Sequence, residues 1–230
     1  CWSLVGSEMC IRDRLKGSYP NNTAVLGLLK ATYMQLKLWQ PLLELTPKLT
    51  KNKLLTAEEQ VELEQKAQCG LLHDVAQQQG SEGLISHWNK LSRKQKQSSH
   101  LVSCFVKQLI ARKADSEAFT VIKENIAKSG SNELYMLLPE LNLADHHPVV
   151  VMLERAISKD GSNAEAHSAL AQFYLREQKW AEAQSHFEKA LALRSNVSDY
   201  GYLSDALEKQ NLTKAAHEVS RKALALVQPA

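Results

Sequence analysis

The chain has 230 residues, of which 44% are hydrophobic and 23% are charged, so wholesale disorder and a collagen-like fibre are excluded. Only 9 Gly and 6 Pro occur, too few for the many tight turns of an all-β sandwich or barrel, and composition therefore favours helices. The net charge of +3 does not by itself indicate nucleic acid or anionic lipid as a partner.

The first fourteen residues do not connect to the pattern that follows them. They read CWSLVGSEMCIRDR, with no helical period, strand alternation or capping residue. The stretch from Leu4 to Asp13 resembles the in-frame translation of a sequencing-library adapter. We therefore expect residues 1–14 to be non-native and residues 15–230 to form a single helical repeat domain.

Helices are predicted from residue 22 onward, beginning with a pair over about residues 22–49. A longer helix follows, because Thr56 and Glu59 form a capping box and Gly80 is suited to end the helix that the box opens. Its apolar residues at helical spacing are Val61, Leu63, Ala67, Leu71 and Val75. A short helix capped by Ser81 and a polar connector over 92–99 come next.

Two further helix pairs are expected before residue 160. The first is defined by apolar residues at helical spacing, namely Leu101, Phe105, Leu109, Ala118, Ile122 and Ile126. The second joins a helix over 134–141 to one over 149–157. Pro148 is suited to the first turn of that last helix.

An internal repeat marks the final part of the chain. The letters KALAL stand at 189–193 and again at 222–226. We call the spacing between the two copies, from residue 189 to residue 222, the repeat period. The first unit resembles a tetratricopeptide repeat through His167, Leu170, Ala171, Tyr174, Ala183, Phe187 and Ala190. It departs from that pattern with His167 in place of Trp, Ala171 in place of Gly and Ser195 where Pro is usual. The resemblance predicts an all-α, tetratricopeptide-like α-solenoid of antiparallel helix pairs.

Several unusual segments, in linear order, carry a more specific resemblance. They are residues 39–45, residues 80–84 with Trp88, residues 91–94 and residues 199–207. Over roughly residues 15–227 the chain resembles the C-terminal part of the HemY family, inner-membrane tetratricopeptide proteins associated with haem biosynthesis in proteobacteria. Such proteins carry two membrane-spanning helices and a basic segment before their repeats.

The resemblance implies a cytoplasmic repeat domain at the bacterial inner membrane, anchored through an N-terminal region upstream of Leu15 that this chain lacks. No apolar run approaches the roughly 20 residues of a membrane-spanning helix, so we expect the fragment itself to be soluble. The resemblance also implies a non-enzymatic scaffold or regulator whose protein partners include late haem-pathway enzymes.

The sequence carries no phosphate loop, HExxH, GxSxG or paired-cysteine metal motif, so we expect no catalytic site, metal or cofactor. His146 and His147 leave an alternative open, because imidazole nitrogens ligate iron. The alternative function is a direct haem or tetrapyrrole carrier or sensor. The competing interpretation of these two residues is a polar loop before a helix.

Charge is clustered at one place. Between Gly83 and Ala114 there are seven basic residues and no acidic ones, and the patch that we single out comprises Lys90, Arg93, Lys94 and Lys96. Such a patch suits an acidic protein, anionic lipid or porphyrin propionates, and a solvated connector is the plainer interpretation. Nucleic acid is not expected, because no aromatic residues interleave the bases for stacking.

Repeat solenoids bind partners through the concave face lined by the first helix of each pair. Helical spacing puts Gln172 and Arg176 on that face, and Lys107 and Asp205 occupy equivalent places in neighbouring pairs. We expect these four residues to contact a protein partner. Ordinary surface is the alternative for each of them.

Overall fold

The structure is a computed structural model that describes residues 22–129 and 132–227, so the stretch expected to be non-native, 1–14, lies outside the described residues. All regular elements in the described ranges are helices. Within those ranges, none of the helices combines the length and apolar character needed to cross a membrane. The chain divides into two compact units, one ending at Lys96 and the other beginning at Gln97.

The first unit contains helices α1 (Thr23–Gln35), α2 (Trp39–Lys51), α3 (Ala57–Lys90) and the short α4 (Arg93–Lys96). Its core is built from leucines and one tyrosine of α1 and α2 packed against the start of α3: Leu26, Leu29, Tyr33, Leu42, Leu45, Leu49, Leu63 and Ala67. The helix pair predicted over residues 22–49 is confirmed. The connector expected over 92–99 contains α4, a single helical turn.

Helix α3 begins and bends where the sequence predicted a start and a stop. The Glu59 backbone N–H donates to Thr56 Oγ1 at 3.2 Å, and the Thr56 N–H donates to Glu59 Oε2 at 2.8 Å. Gly80 has φ 67°, so two helical stretches meet there at a kink. The predicted apolar face was partly wrong, since Val61 is 52% exposed. Val61 precedes the buried Leu63 by two residues, which is about 200° around a helix.

The second unit contains α5 (Ser99–Ile110), α6 (Asp115–Ser129), a 3₁₀ helix η1 (Asn132–Glu140) and α7 (His147–Lys159). It continues with α8 (Ala164–Arg176), α9 (Trp180–Leu193), α10 (Val197–Lys209) and α11 (Thr213–Val227). The α-helix expected over 134–141 was wrong in type. Pro139 inside that stretch has no N–H to donate, and the segment takes the tighter 3₁₀ winding with Leu134, Leu137 and Leu138 buried.

Four helix pairs close through the same turn. In each turn a non-glycine residue has a left-handed φ between 54° and 62°: Lys37, Lys113, Gln178 and Asn211. The residue after it donates its N–H to the carbonyl five positions back, at 2.8–3.0 Å. This hydrogen bond satisfies a carbonyl at the end of the first helix and reverses the chain. The pairs are α1 with α2, α5 with α6, α8 with α9, and α10 with α11. The same turn also joins α2 to α3, with Lys53 at φ 57° and the Leu54 N–H donating to the Leu49 carbonyl at 2.9 Å.

The repeat period extends to backbone hydrogen bonding. Asn163 and Asn196 are one repeat period apart, and the side-chain oxygen of each accepts a backbone N–H at the start of α8 and of α10. Gln178 and Asn211, in the turns, are separated by the same period. The predicted fold class, an all-α tetratricopeptide-like solenoid of antiparallel helix pairs, is confirmed.

A buried carboxylate links these two repeats. Asp199 of α10 has no solvent exposure, and its Oδ1 accepts from Ser168 Oγ of α8 at 2.6 Å. Arg194 Nη2 lies 3.3 Å from Asp199 Oδ2, and Arg194 Nε lies 3.1 Å from Glu165 Oε1. These are ion pairs in which Arg194 Nε and Asp199 Oδ2 lack hydrogen-bond alignment. Burial raises the pKa of Asp199, partly offset by Ser168 and Arg194.

Candidate functional site

Helices α8 and α10 are the first helices of the two repeats, and they carry three of the four predicted partner-binding residues: Gln172, Arg176 and Asp205. Gln172 and Asp205 are one repeat period apart and therefore equivalent. Gln172 is half-buried and Asp205 is exposed. Because α8 and α10 are held together by Ser168 and Asp199, these two side chains occupy one register on adjacent helices.

The other two predicted residues are placed differently. Arg176 donates from Nη2 to the Pro139 carbonyl of η1, and its guanidinium carbon lies 5.4 Å from the centroid of the Phe173 ring. Part of its hydrogen-bonding capacity is therefore used inside the unit. Lys107 is exposed on α5, and η1 and α7 lie between the α5–α6 pair and α8 along the chain.

The basic patch lies where α3 gives way to α4 in the first unit. Lys90 is the last residue of α3, and Arg93, Lys94 and Lys96 form most of α4. The side chains of Lys90, Arg93 and Lys94 are exposed, whereas Lys96 is half-buried and donates to the Asn89 carbonyl at 3.0 Å. Burial lowers the pKa of His87, and the nearby charge of Lys90 lowers it further.

A polar cleft of about 430 Å³ lies in the second unit, between the start of α7 and the end of α8. Its lining residues are Ala144, Asp145, His146, His147, Val150, Glu154, Tyr174, Glu177 and Lys179. The sequence singled out His146 and His147 but missed the other members. Tyr174 had been interpreted only as packing, and no pattern in the sequence links it to Glu154 on the preceding helix.

Tyr174 is the centre of the cleft's contacts. Its hydroxyl donates to Glu154 Oε1 at 3.4 Å, and Lys179 Nζ lies 5.6 Å from its ring centroid. Burial and the Glu154 carboxylate raise the pKa of Tyr174. The pKa of Lys179 is also raised, by its hydrogen bond to Glu177.

The two adjacent histidines differ in their surroundings. The His147 backbone N–H donates to Asp145 Oδ1 at 2.8 Å, and this contact fixes the entry into α7. The His146 ring lies 5.4 Å from the Phe173 ring, and its Nδ1 is buried without a hydrogen-bond partner among the described residues. These imidazoles are the groups in the cleft that could ligate a metal or haem iron.

Sequence comparison gives curated relatives of one kind. Protein HemY of Escherichia coli strain K12 is 28% identical over 214 residues, which cover 93% of this chain and 54% of the relative. Protein HemY of Shigella flexneri is also 28% identical, and the match covers 93% of this chain and 54% of that relative. The expected resemblance to HemY is confirmed. The chain spans about half the length of the curated relatives that it matches.

Two crystal structures of MamA are among the solved structures that align with the chain. They align with TM-scores of 0.49 and 0.47, each at 19% sequence identity. The alignments cover 67% and 69% of this chain and 92% and 91% of the MamA chains. No protein-family model matches the chain.

Proposed function

We propose that this chain is a non-enzymatic protein-interaction scaffold or regulator associated with late haem biosynthesis. The similarity to HemY over 93% of the chain supports the association with haem synthesis. The tetratricopeptide-like pairs support a binding role, because stacked helix pairs offer an extended surface instead of an enclosed reaction chamber.

One observation carries the binding proposal. Gln172 and Asp205 stand in the same register on the first helices of two joined repeats, so a partner segment that crosses both helices meets one side chain from each. Segments of partner proteins bind such grooves through side chains repeated at the spacing of the helices. The partners that we propose are enzymes of the haem pathway.

The location is part of the same proposal. Similarity to HemY supports a repeat domain held at the cytoplasmic face of the bacterial inner membrane. Anchoring would come from a part of the whole protein other than the residues described. The basic patch, with Lys90, Arg93 and Lys94 exposed, is suited to an acidic protein or to anionic head groups at that membrane face.

A capture experiment tests the scaffold proposal. The chain is immobilised and incubated with detergent-solubilised bacterial extract, and bound proteins are quantified by mass spectrometry. We expect haem-pathway enzymes to be enriched on the unmodified chain and lost from the variant Gln172→Lys with Asp205→Lys. Glu182→Lys, an exposed change on α9, should retain them. Equal capture by all three proteins, or no enrichment of these enzymes, would reject the proposal.

The cleft favours a second candidate function, direct binding of haem or another tetrapyrrole. His146 and His147 offer nitrogen ligands, and Lys179 offers a cation for a propionate. Haem titration followed by its absorption band tests this function. Saturable binding that is lost in His146→Ala with His147→Ala, and kept in His217→Ala on α11, would support it. A flat titration would remove it.

A further inference from the structure

Helix α9 and its C-cap residue Arg194 contact α10 and its C-cap residue Gln210 through four side chains spaced three or four residues apart: Gln184, Phe187, Leu191 and Arg194. Gln184 Oε1 accepts from Gln210 Nε2 at 3.0 Å. The Phe187 ring stacks on Tyr202, with centroids 5.8 Å apart and planes 23° from parallel. Leu191 packs against the apolar cluster that includes Leu203, and Arg194 makes the ion pair with Asp199 described above.

The repeat period assigns an equivalent of this surface to α11. We define the outer face of α11 by the four equivalent residues: His217, Ser220, Leu224 and Val227. Leu224 and Val227 are 61% and 63% exposed, whereas Leu191 is packed. The two repeats do not differ in this way at another equivalent pair: Leu193 is 47% exposed and Leu226 is 48% exposed. The difference in exposure is therefore specific to this face. The outer face of α11 thus continues the α9 surface that holds α10.

Charge defines what this face can accept. The exposed side chains of α11 include four basic groups and one acidic group: Lys214, His217, Arg221, Lys222 and Glu218. Helix α10, which binds the equivalent face of α9, carries three acidic residues and one basic residue: Asp199, Asp205, Glu208 and Lys209. A helix with the composition of α10 therefore complements α11 in apolar pattern and in charge.

We propose that the outer face of α11 binds an acidic amphipathic α-helix of a partner protein, in the manner in which α9 holds α10. Leu224 and Val227 supply the apolar contact. Lys214 and Arg221 are exposed and lie three residues before and four residues after His217, so they border this face and attract the acidic residues of the incoming helix. Ser220 takes the place of Phe187 with a smaller side chain, which hydrogen-bonds Ser204 of α10 at 2.8 Å. The site lies outside the α8 and α10 groove, so it goes beyond the function proposed above.

The probe is a fluorescein-labelled peptide with the sequence of residues 196–210, titrated against the intact chain and followed by fluorescence anisotropy. We expect saturable binding that Leu224→Lys weakens by at least about tenfold, the effect of losing one buried leucine contact. Leu226→Lys is the matched control and should leave the affinity unchanged. A peptide in which the three acidic residues are replaced by lysine should bind more weakly.

Three outcomes would overturn the proposal. They are the absence of saturable binding, an equal loss of affinity in Leu224→Lys and Leu226→Lys, and equal binding of the charge-reversed peptide. If the peptide instead displaced α10 from α9, Leu224→Lys and Leu226→Lys would bind it with equal affinity. The two variants therefore distinguish binding at α9 from binding at the outer face of α11. A concentration-dependent dimer in sedimentation, abolished by Leu224→Lys, would assign the face to a second copy of the chain. None of these results depends on the capture of haem-pathway enzymes.

Discussion

His167 and His186 meet between α8 and α9, and their hydrogen bonds fix the positions of their protons. His167 Nε2 lies 3.2 Å from the Gly161 carbonyl, which can only accept, so this nitrogen carries the hydrogen. His167 Nδ1 therefore accepts from His186 Nδ1, at 2.9 Å. A second proton on His167 would go to Nδ1, where its N–H would face the N–H of His186 Nδ1. The pair is stable only while His167 is neutral.

This pair predicts loss of stability in mild acid. Burial, His167 and Lys189 lower the pKa of His186 from 6.5 to about 4, and burial also lowers that of His167. Below pH 6.5 the unfolded chain takes up protons that the folded chain does not, so the free energy of unfolding should fall between pH 6.5 and about 4. Urea unfolding across that range should give a smaller fall for His186→Leu than for His217→Gln, an exposed control. Identical falls would contradict the assignment.

Gly70 permits a close approach inside the first unit. A Cβ added there would lie 2.2 Å from Trp39 Cε2 and 2.5 Å from Trp39 Nε1, whereas a Cβ at Gly27 would meet nothing within 4 Å. Gly70→Ala should therefore lower the free energy of unfolding by about 1–3 kcal/mol. Gly27→Ala, also within a helix, should raise it by about 0.5–1 kcal/mol. Chemical denaturation measures both, and stabilisation by Gly70→Ala would disprove the contact.

At this scale the sequence indicates single residues but not their partners. It placed His167 in the tryptophan position of a repeat, and that residue is buried. It could not find His186, because two residues so far apart in the chain come into contact only once two helices pack. The same holds for Gly70. A glycine is required there because Trp39, on another helix, occupies the space that a Cβ would take.

Among the elements, one shared turn closes the four helix pairs and also joins α2 to α3 at Lys53. Its left-handed position holds lysine, glutamine or asparagine in the four pairs, and a side chain there has an unfavourable φ. Lys37→Gly should raise the free energy of unfolding by up to about 1 kcal/mol. Leu36→Gly, one residue earlier at φ −83°, should lower it by a similar amount. Equal effects in thermal or urea unfolding would contradict the turn geometry.

Asp199 joins elements of the two repeats and predicts a larger effect. Asp199→Ala removes the acceptor of Ser168 and one partner of Arg194, and it should cost about 2–4 kcal/mol. Glu124→Ala removes the exposed ion pair with Lys128 and should cost less than about 0.5 kcal/mol. Urea unfolding compares the two variants. A cost for Asp199→Ala as small as that of Glu124→Ala would show that Asp199 does not hold the repeats together.

The sequence predicted elements well where the signal is local. The capping box at Thr56, the break at Gly80 and the first-turn position of Pro148 depend on residues within one turn. The 3₁₀ winding of η1 was missed, because apolar spacing over so short a segment fits both helix types. Val61 was misplaced because a short apolar pattern fits more than one face of a long helix.

At the scale of the whole molecule, repetition was the strongest signal. The repeat period predicted the equivalence of α8 with α10 and of α9 with α11, and the Asn163 and Asn196 caps follow it. The cleft could not be predicted, because its members come from the loop before α7, from α7 and α8, and from the turn after α8. A single continuous domain over 15–230 stays a prediction, and each of the two units is compact by itself.

Hydrogen–deuterium exchange, with the most enriched captured enzyme added in purified form, tests the central claim most directly. We expect the partner to slow exchange in residues 164–176 and 197–209, the first helices of the two repeats. Gln172→Lys with Asp205→Lys should remove that protection, and Glu182→Lys should not. Protection confined to other parts of the second unit, or unchanged in the double variant, would contradict a binding surface formed by α8 and α10.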